Sequence, residues 1–439
     1  MENKSFSKRS WVALLLFGMV GQIAWSVENM YFNLFVYDTV SKNLDAITLM
    51  VQLSGIVATL TTLVAGTLSD KVGNRRKFIS FGYIIWGVTV AIFGFLSPEL
   101  TEALLGVGYA DAVAITLVAV VAGDCVMTLF GSTANDAAFN AWVTDNTEAS
   151  YRGRVEGVLA ILPLIAMLIV AGGFGILVEL IGYSTLFLLL GIVITLSGVA
   201  GVFIIEDSKT LVKNGSLADI TYGFRPSVVK ANLSFYVTLL VVLVYGVACQ
   251  IFMPYMIIYM REYLHFTTVE YSIVFGIAIL AGAGVNLYLT RMSDRKDKLS
   301  LLYIATAVMS LGLFCMYLSR TGSKTADLIT FGVSGFVMIT GYIFISALAG
   351  SLVRDFTPPE DAGKLQGVRM VFSVLIPMIA GPLIGNAINK AMNIPMENAG
   401  ADAMTTAFIP APEIYLTASL VLLLIFAILP LLKRARRNR

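Results

Sequence analysis

Histidine, cysteine and charge are all scarce in this chain. His265 is the single histidine, so zinc or triad chemistry that needs two imidazoles, HExxH included, cannot be written. The three cysteines, Cys125, Cys249 and Cys315, each fall inside an apolar run, which argues against a disulfide framework and against a cysteine-based metal site. Only 13% of the 439 residues are charged, against about 25% in soluble domains. A soluble globule is therefore excluded. The 30 basic and 28 acidic residues nearly cancel, and a net charge of +2 offers nothing to nucleic acid. No cofactor is implied.

What is present is apolar length. With 57% of residues apolar and a mean hydropathy of +0.83, the chain holds about 250 apolar residues, enough for about twelve bilayer-spanning helices of about 20 residues. Segments bounded by charges or turn residues fall at 11–38, 45–69, 78–97, 112–143, 155–178, 182–205, 230–260, 268–292, 299–319, 325–353, 365–390 and 411–432. They are continuous rather than alternating, and too long for tilted strands, which excludes a membrane β-barrel. The expected fold is an all-α membrane protein of twelve transmembrane helices. Lys4, Lys8 and Arg9 precede a first run without an A-x-A cleavage site, so it reads as a retained span rather than a signal peptide.

The bases are distributed unevenly. With the N-terminus placed in the cytoplasm, the outer loops hold only Lys42, Arg261, Arg320, Lys324 and Lys390, and the other 25 of the 30 Lys and Arg lie inside. That asymmetry places both termini in the cytoplasm, and the cell membrane is the expected location. The basic tail from Lys433 to Arg439 suits contact with anionic lipid heads.

The one long polar inner stretch divides the chain into a six-helix bundle over 1–205, a linker over 206–229 and a second six-helix bundle with the basic tail over 230–439. The two halves echo each other. At an offset of 210, Asp145, Thr147, Gly153, Arg154, Gly157 and Val158 meet Asp355, Thr357, Gly363, Lys364, Gly367 and Val368. At an offset of 224, Tyr31, Ser69, Asp70 and Lys71 meet Tyr255, Ser293, Asp294 and Arg295. Matches at corresponding spans and loops argue for a duplicated unit and two pseudo-symmetric bundles.

The loop after the second segment reads Gly66, Asp70, Lys71, Gly73, Arg75, Arg76, Lys77 in the pattern G-x-x-x-D-R/K-x-G-x-R/K-R/K. This resembles the signature of the major facilitator superfamily, over nearly the whole chain. Gly66 is expected to allow close helix approach, Gly73 to make the sharp turn, and Asp70 to accept hydrogen bonds at a helix end. Short pieces, Trp25 to Asn29, Asn135 to Trp142, and Arg152 to Arg154, resemble the branch of sucrose transporters and glycoside-pentoside-hexuronide cation symporters. The resemblance implies a major facilitator fold and alternating-access transport. There is one departure. Melibiose-type members carry acids on helices 2 and 4, whereas the second segment here offers only Gln52, Ser54, Thr59, Thr61 and Thr62. That departure counts against sodium coupling of the melibiose type, and the expected coupling ion is a proton, sodium or another cation, or none.

Acids deep in a span are costly and therefore informative. Asp124 lies near mid-membrane, and at 100° per residue Thr128, Gly131, Asn135 and Trp142 share its face, while Asp136 stands about 120° away. Glu28 lies in the first segment among Gln22, Trp25, Ser26, Asn29, Phe32 and Asn33. Aromatic rings beside amides and carboxylates suit sugar recognition, in which C–H faces stack and hydroxyls pair. The plainer alternative is hydrogen bonding between helices. The second half offers Tyr245, Gln250, Tyr255 and Tyr259, then Thr340, Tyr342 and Ser346.

The resulting expectation is a monomeric secondary carrier of a small solute, a sugar or glycoside first, in a lipid bilayer. Substrate contacts are Trp25, Asn29, Asn33, Asp124, Thr128, Asn135, Tyr245, Gln250, Tyr255 and Tyr342, with Glu28 and Asp124 as coupling acids. A cytoplasmic gate is expected from Gly66, Asp70, Lys71, Gly73, Arg75, Arg76, Asp136, Arg154, Asp294, Arg295 and Lys364. Arg261 and Glu262 form an outer gate or a solvated pair. An exporter or flippase-like carrier of amphipathic compounds is the alternative, which 26 Phe and 18 Met would suit as a lining, and a non-transporting sensor is a more distant one. Neither G-x-x-x-x-G-K-S/T nor an aspartyl G-x-G-D motif is present, which counts against a nucleotide-driven pump and an intramembrane protease.

Overall fold

The structure, a computed structural model, describes residues 7–147, 152–208, 219–293, 297–358, 365–396 and 408–437. Among these residues, eleven helical stretches are long and apolar enough to cross a bilayer. One of them, Gly157–Ile204, runs for 48 residues, or about 72 Å, more than twice a hydrocarbon core of about 30 Å. Gly182 breaks it. Its φ of 76° and ψ of 163° are non-helical, in a region open to glycine and closed to a residue with a Cβ. The stretch is thus spans 5 and 6, and the total is twelve. The others are span 1 (Lys8–Val40), span 2 (Leu44–Val72), span 3 (Arg75–Phe93), span 4 (Tyr109–Asn146), span 7 (Leu233–Tyr263), span 8 (Thr268–Asn286), span 9 (Lys298–Leu318), span 10 (Lys324–Phe356), span 11 (Gln366–Met392) and span 12 (Glu413–Arg436).

The ends of these helices follow from local chemistry. Gly73 leaves span 2 with φ 66°, and Asn74 caps span 3 by accepting from the Lys77 amide at 3.1 Å. Ser97 and Pro98 start the short helix Pro98–Leu105, which ends on Gly106 in the left-handed region. Leu60, Val118, Leu180, Leu196 and Phe203 all stay exposed, a costly arrangement in water but the favoured one in lipid.

Several spans change winding partway along. π-Helical turns occupy Glu28–Phe32 and Val36–Val40 in span 1, Ser132–Phe139 in span 4, Val170–Phe174 in span 5, Tyr259–Tyr263 in span 7 and Val371–Leu375 in span 11. Among the prolines within spans, Pro254 sits in a 3-10 turn, Met253–Tyr255, and Pro377 follows the π turn of span 11. Pro163 and Pro382 lie inside helices.

The chain divides into two compact units, Met1–Ser41 with Ile56–Leu217, and Lys42–Gly55 with Ala218–Arg439. In the first, spans 3 and 6 meet backbone to backbone: a Cβ on Gly87 would stand 2.5 Å from the Gly191 carbonyl oxygen, and one on Gly198 2.6 Å from the Ile84 nitrogen. In the second, a Cβ on Gly341 would stand 2.5 Å from the Met309 nitrogen, which fixes the approach of spans 9 and 10. The first half of span 2 groups with the second unit through specific bonds. Asp45 pairs with Lys390 at 2.6 Å and accepts from Asn386 at 2.5 Å, and Gln52 donates to the Ile379 carbonyl at 3.1 Å.

Candidate functional site

In the first unit, span 1 is α-helical as far as Val27 and then widens into the π turn that carries Glu28. The Glu28 carboxyl is buried, with Oε1 accepting from the Thr128 hydroxyl of span 4 at 3.2 Å. Asp124, one turn earlier on span 4, is 1% exposed. Thr128, which bonds Glu28, follows Asp124 by one turn of the same helix, so the two acids share one neighbourhood. Burying even one ionised carboxylate at this depth costs a few kcal/mol, so two in one place require an ion, a proton or a compensating dipole. Beside them the Trp25 and Trp86 indoles lie 5.1 Å apart. Gly131 makes room for the pair: a Cβ there would stand 2.8 Å from Trp86 Cε2 and 3.1 Å from Trp25 Cη2.

The other sequence-named amides are occupied within the helices. Asn29 donates to the Trp25 carbonyl at 2.7 Å and Asn33 to the Asn29 carbonyl at 3.0 Å, so both bond back to their own span. Asn135 donates to the Tyr83 hydroxyl at 2.6 Å, and Tyr83 donates to the Phe17 carbonyl at 2.8 Å, tying spans 1, 3 and 4 together. Trp142 donates to the Glu206 carbonyl at 2.8 Å. An ideal α-helix places Asn135 and Trp142 on the face of Asp124; the π winding of Ser132–Phe139 alters the phase below residue 132, and that stripe does not persist.

In the second unit, Tyr245 donates to the Tyr342 carbonyl at 3.2 Å with ring centroids 5.6 Å apart, so these two candidates from spans 7 and 10 do come together. Gln250 packs its Cβ against Gly381. Tyr255, fully buried, bonds to Thr48 at 2.7 Å and donates to the Pro382 carbonyl at 3.1 Å. Tyr259 is fully buried and stacks on Tyr263, and the Thr340 hydroxyl bonds back to the Phe336 carbonyl at 2.8 Å. Arg261 and Glu262 pair at 2.9 Å with side chains 27% and 21% exposed, so the pair is half-buried rather than solvated.

At the base-rich end of the first unit the centre is Arg75, not Arg76. Arg75, 5% exposed, bonds to Asp70 and Ser69 and, through Nε, to Asp145 at 3.0 Å. Arg76 is exposed, and among the described residues only its backbone N–H is engaged, donating to Asp207 at 2.9 Å. Lys71 and Arg154 are exposed. Close approach at Gly66 is not realised, because a Cβ there would meet Ala137 only at 4.0 Å. Asp136 is half-buried near Trp25 and Ser132. Asp294, Arg295 and Lys364 lie outside the described residues. The second unit instead pairs Lys298 with Asp355 at 2.5 Å and Arg436 with Asp297 at 2.7 Å. Burial would raise the Asp297 carboxyl, but hydrogen bonds from Arg436 and Ser300 outweigh it and hold the group below its ordinary range. Asp145 and Asp355 had a signal in sequence, since they match at the 210-residue offset; of their basic partners, Arg75 belongs to the motif after span 2 and Lys298 had no signal. Among the described residues no cluster of His, Cys, Asp or Glu could hold a metal ion.

Twelve apolar spans, glycine-packed in two units, with acids buried in the membrane, define a multi-pass integral membrane protein of transporter architecture. Residues 10–382 match the Major Facilitator Superfamily, and the chain belongs to that family, whose members are transporters rather than enzymes. Solved structures share its fold at low identity. They include a bacterial homologue of the human lysosomal transporter Spinster (13% identity, 98% of each chain, TM-score 0.66). The nucleoside transporter NupG is similar at 11% identity over 95% of this chain and 98% of that one, with a TM-score of 0.69. A bacterial homologue of the iron transporter ferroportin is similar at 14% identity over 96% and 98%, with a TM-score of 0.63. No curated protein matches the sequence significantly.

Proposed function

We propose that this protein is a secondary active transporter that moves a small solute, a sugar or glycoside, by alternating access, with a proton or other cation as driver. It acts as a monomer in the cell membrane with both termini cytoplasmic. The carrying observation is the buried Glu28 to Thr128 bond beside Asp124, next to the Trp25 and Trp86 indoles. Indoles supply the stacking face that a pyranose C–H surface takes, and the acids supply acceptors for hydroxyls. A carboxyl at this depth is cheaper to carry neutral than ionised, so taking up and releasing a cation changes the energy of each state and can drive the cycle.

A thermal-shift panel of sugars, amphiphiles and organic ions, run with and without sodium and across pH, identifies the solute class. Transport in liposomes then tests the coupling. Asp124→Asn and Glu28→Gln are expected to retain downhill exchange and to lose uphill accumulation by about tenfold or more. Undiminished accumulation in both variants would remove these acids from coupling, and a thermal shift confined to amphiphiles would replace the sugar reading.

A further inference from the structure

Span 4 carries a polar residue at every fourth position: Asp124, Thr128, Ser132, Asp136, Asn140 and Thr144. In an unbroken α-helix this file would wander, since four residues overshoot a turn by about 40° at each step. The structure reverses the drift midway. Ser132–Phe139 is wound as a π-helix, whose i→i+5 bonds need more than four residues per turn, so a step of four now falls short. Asp136 is thereby brought back toward the face of Asp124, and the file leads from the buried acids to the base-rich end.

The members of the file differ in a way that suits passage. The Thr128 hydroxyl is fully buried and already bonded to Glu28. Ser132 is also fully buried, and its hydroxyl faces Asp136 without closing a hydrogen bond. Asp136 is half-buried, and Asn140, which donates to the Asp136 carbonyl at 3.0 Å, is exposed. From other elements, the Trp25 indole of span 1 and the Tyr83 phenol of span 3 face Asp136. Among the described residues no Lys or Arg pairs with it.

We propose that this file is a proton path, with Asp136 as the relay between the coupling acids and the base-rich end, and hence that the coupling ion is the proton. The proposal rests on the reading of Glu28 as a coupling acid. The Glu28 carboxyl gives up its proton, the Thr128 and Ser132 hydroxyls each accept one and release their own, and the Asp136 carboxylate receives it. Glu28 is left ionised and Asp136 neutral until Asp136 releases the proton at its exposed side. The α-helical step from Thr128 to Ser132 is about 6 Å, a gap that one bridging water spans, and the Ser132 hydroxyl already faces Asp136.

Infrared difference spectroscopy after an acid jump, on the full chain in liposomes, tests this without any substrate. Glu28→Gln assigns the Glu28 carboxyl band. Asp136→Asn is expected to remove a second band and to slow the Glu28 band about a hundredfold; Ser132→Ala is expected to slow it similarly with both bands present, and Asp136→Glu to restore the rate. Ser132→Ala, the loss of one oxygen, carries the test if Asp136→Asn does not fold. An unchanged Glu28 rate in the relay variants overturns the path, even where Glu28 proves essential for transport. A wild-type spectrum without a titrating Glu28 band also overturns it. A slowed band in a protein that transports no sugar supports the path and defeats the sugar reading alone.

Discussion

Arg75 and Arg76 are adjacent in sequence and have opposite surroundings. Arg75 starts span 3 pointing inward, where its planar guanidinium reaches Asp70, Ser69 and Asp145 together, a geometry that one lysine ammonium cannot reproduce. Arg76, rotated by about 100°, faces out. Replacing Arg75 with Gln leaves the two carboxylates repelling each other without their shared cation. Asp70 and Asp145 remain 41% and 26% exposed, so water screens part of the cost. The expected loss is about 2 kcal/mol, read as a drop of about 4 °C in the melting temperature of the detergent-purified protein. Arg76→Gln should leave the melting temperature unchanged, and equal losses in the two variants would contradict the assignment of Arg75 as the centre.

At the scale of the helix, the spans were legible in sequence because hydropathy and charge placement are local quantities. Residues 178–182 marked a boundary between spans 5 and 6, and Gly182 breaks the helix there. The acids Glu28 and Asp124 could be singled out because the bilayer penalises them individually. The phase of span 4 could not be read. Whether Ser132–Phe139 closes i→i+4 or i→i+5 bonds depends on what packs against it, and Asn135 shows the consequence: its amide turns to Tyr83 and the Phe17 carbonyl. Glycine spacing marks close packing only in general, and the structure shows which glycines are needed. A methyl at position 87 meets the Gly191 carbonyl oxygen at 2.5 Å, where backbone rather than a flexible side-chain tip must yield, while one at Gly172 meets nothing within 4 Å. Gly87→Ala is therefore expected to cost about 1–3 kcal/mol and Gly172→Ala less than about 0.5 kcal/mol. Thermal unfolding of both variants checks the contrast.

Across the whole molecule, among the described residues each unit carries a base-to-acid clamp at its base-rich end. Arg75 holds Asp145 in the first unit and Lys298 holds Asp355 in the second, and the two acids are the residues aligned by the 210-residue offset. The clamps are unequal. Arg75 is 5% exposed and grips two acids, whereas Lys298 is 30% exposed and its second partner is the neutral Ser351 at 2.7 Å. Lower burial and a single ionic partner make the second clamp the weaker one. Lys298→Asp or Asp355→Lys alone creates a like-charge pair and is expected to lower stability by about 1 kcal/mol. Exchanging both restores opposite charges at the same two positions, so the double variant should recover most of that loss, a coupling that a double-mutant cycle isolates. Adding salt should shrink the coupling, because the pair lies within reach of solvent ions. Additive losses in the double variant would show that Lys298 and Asp355 contribute separately, and that only the first unit relies on its clamp.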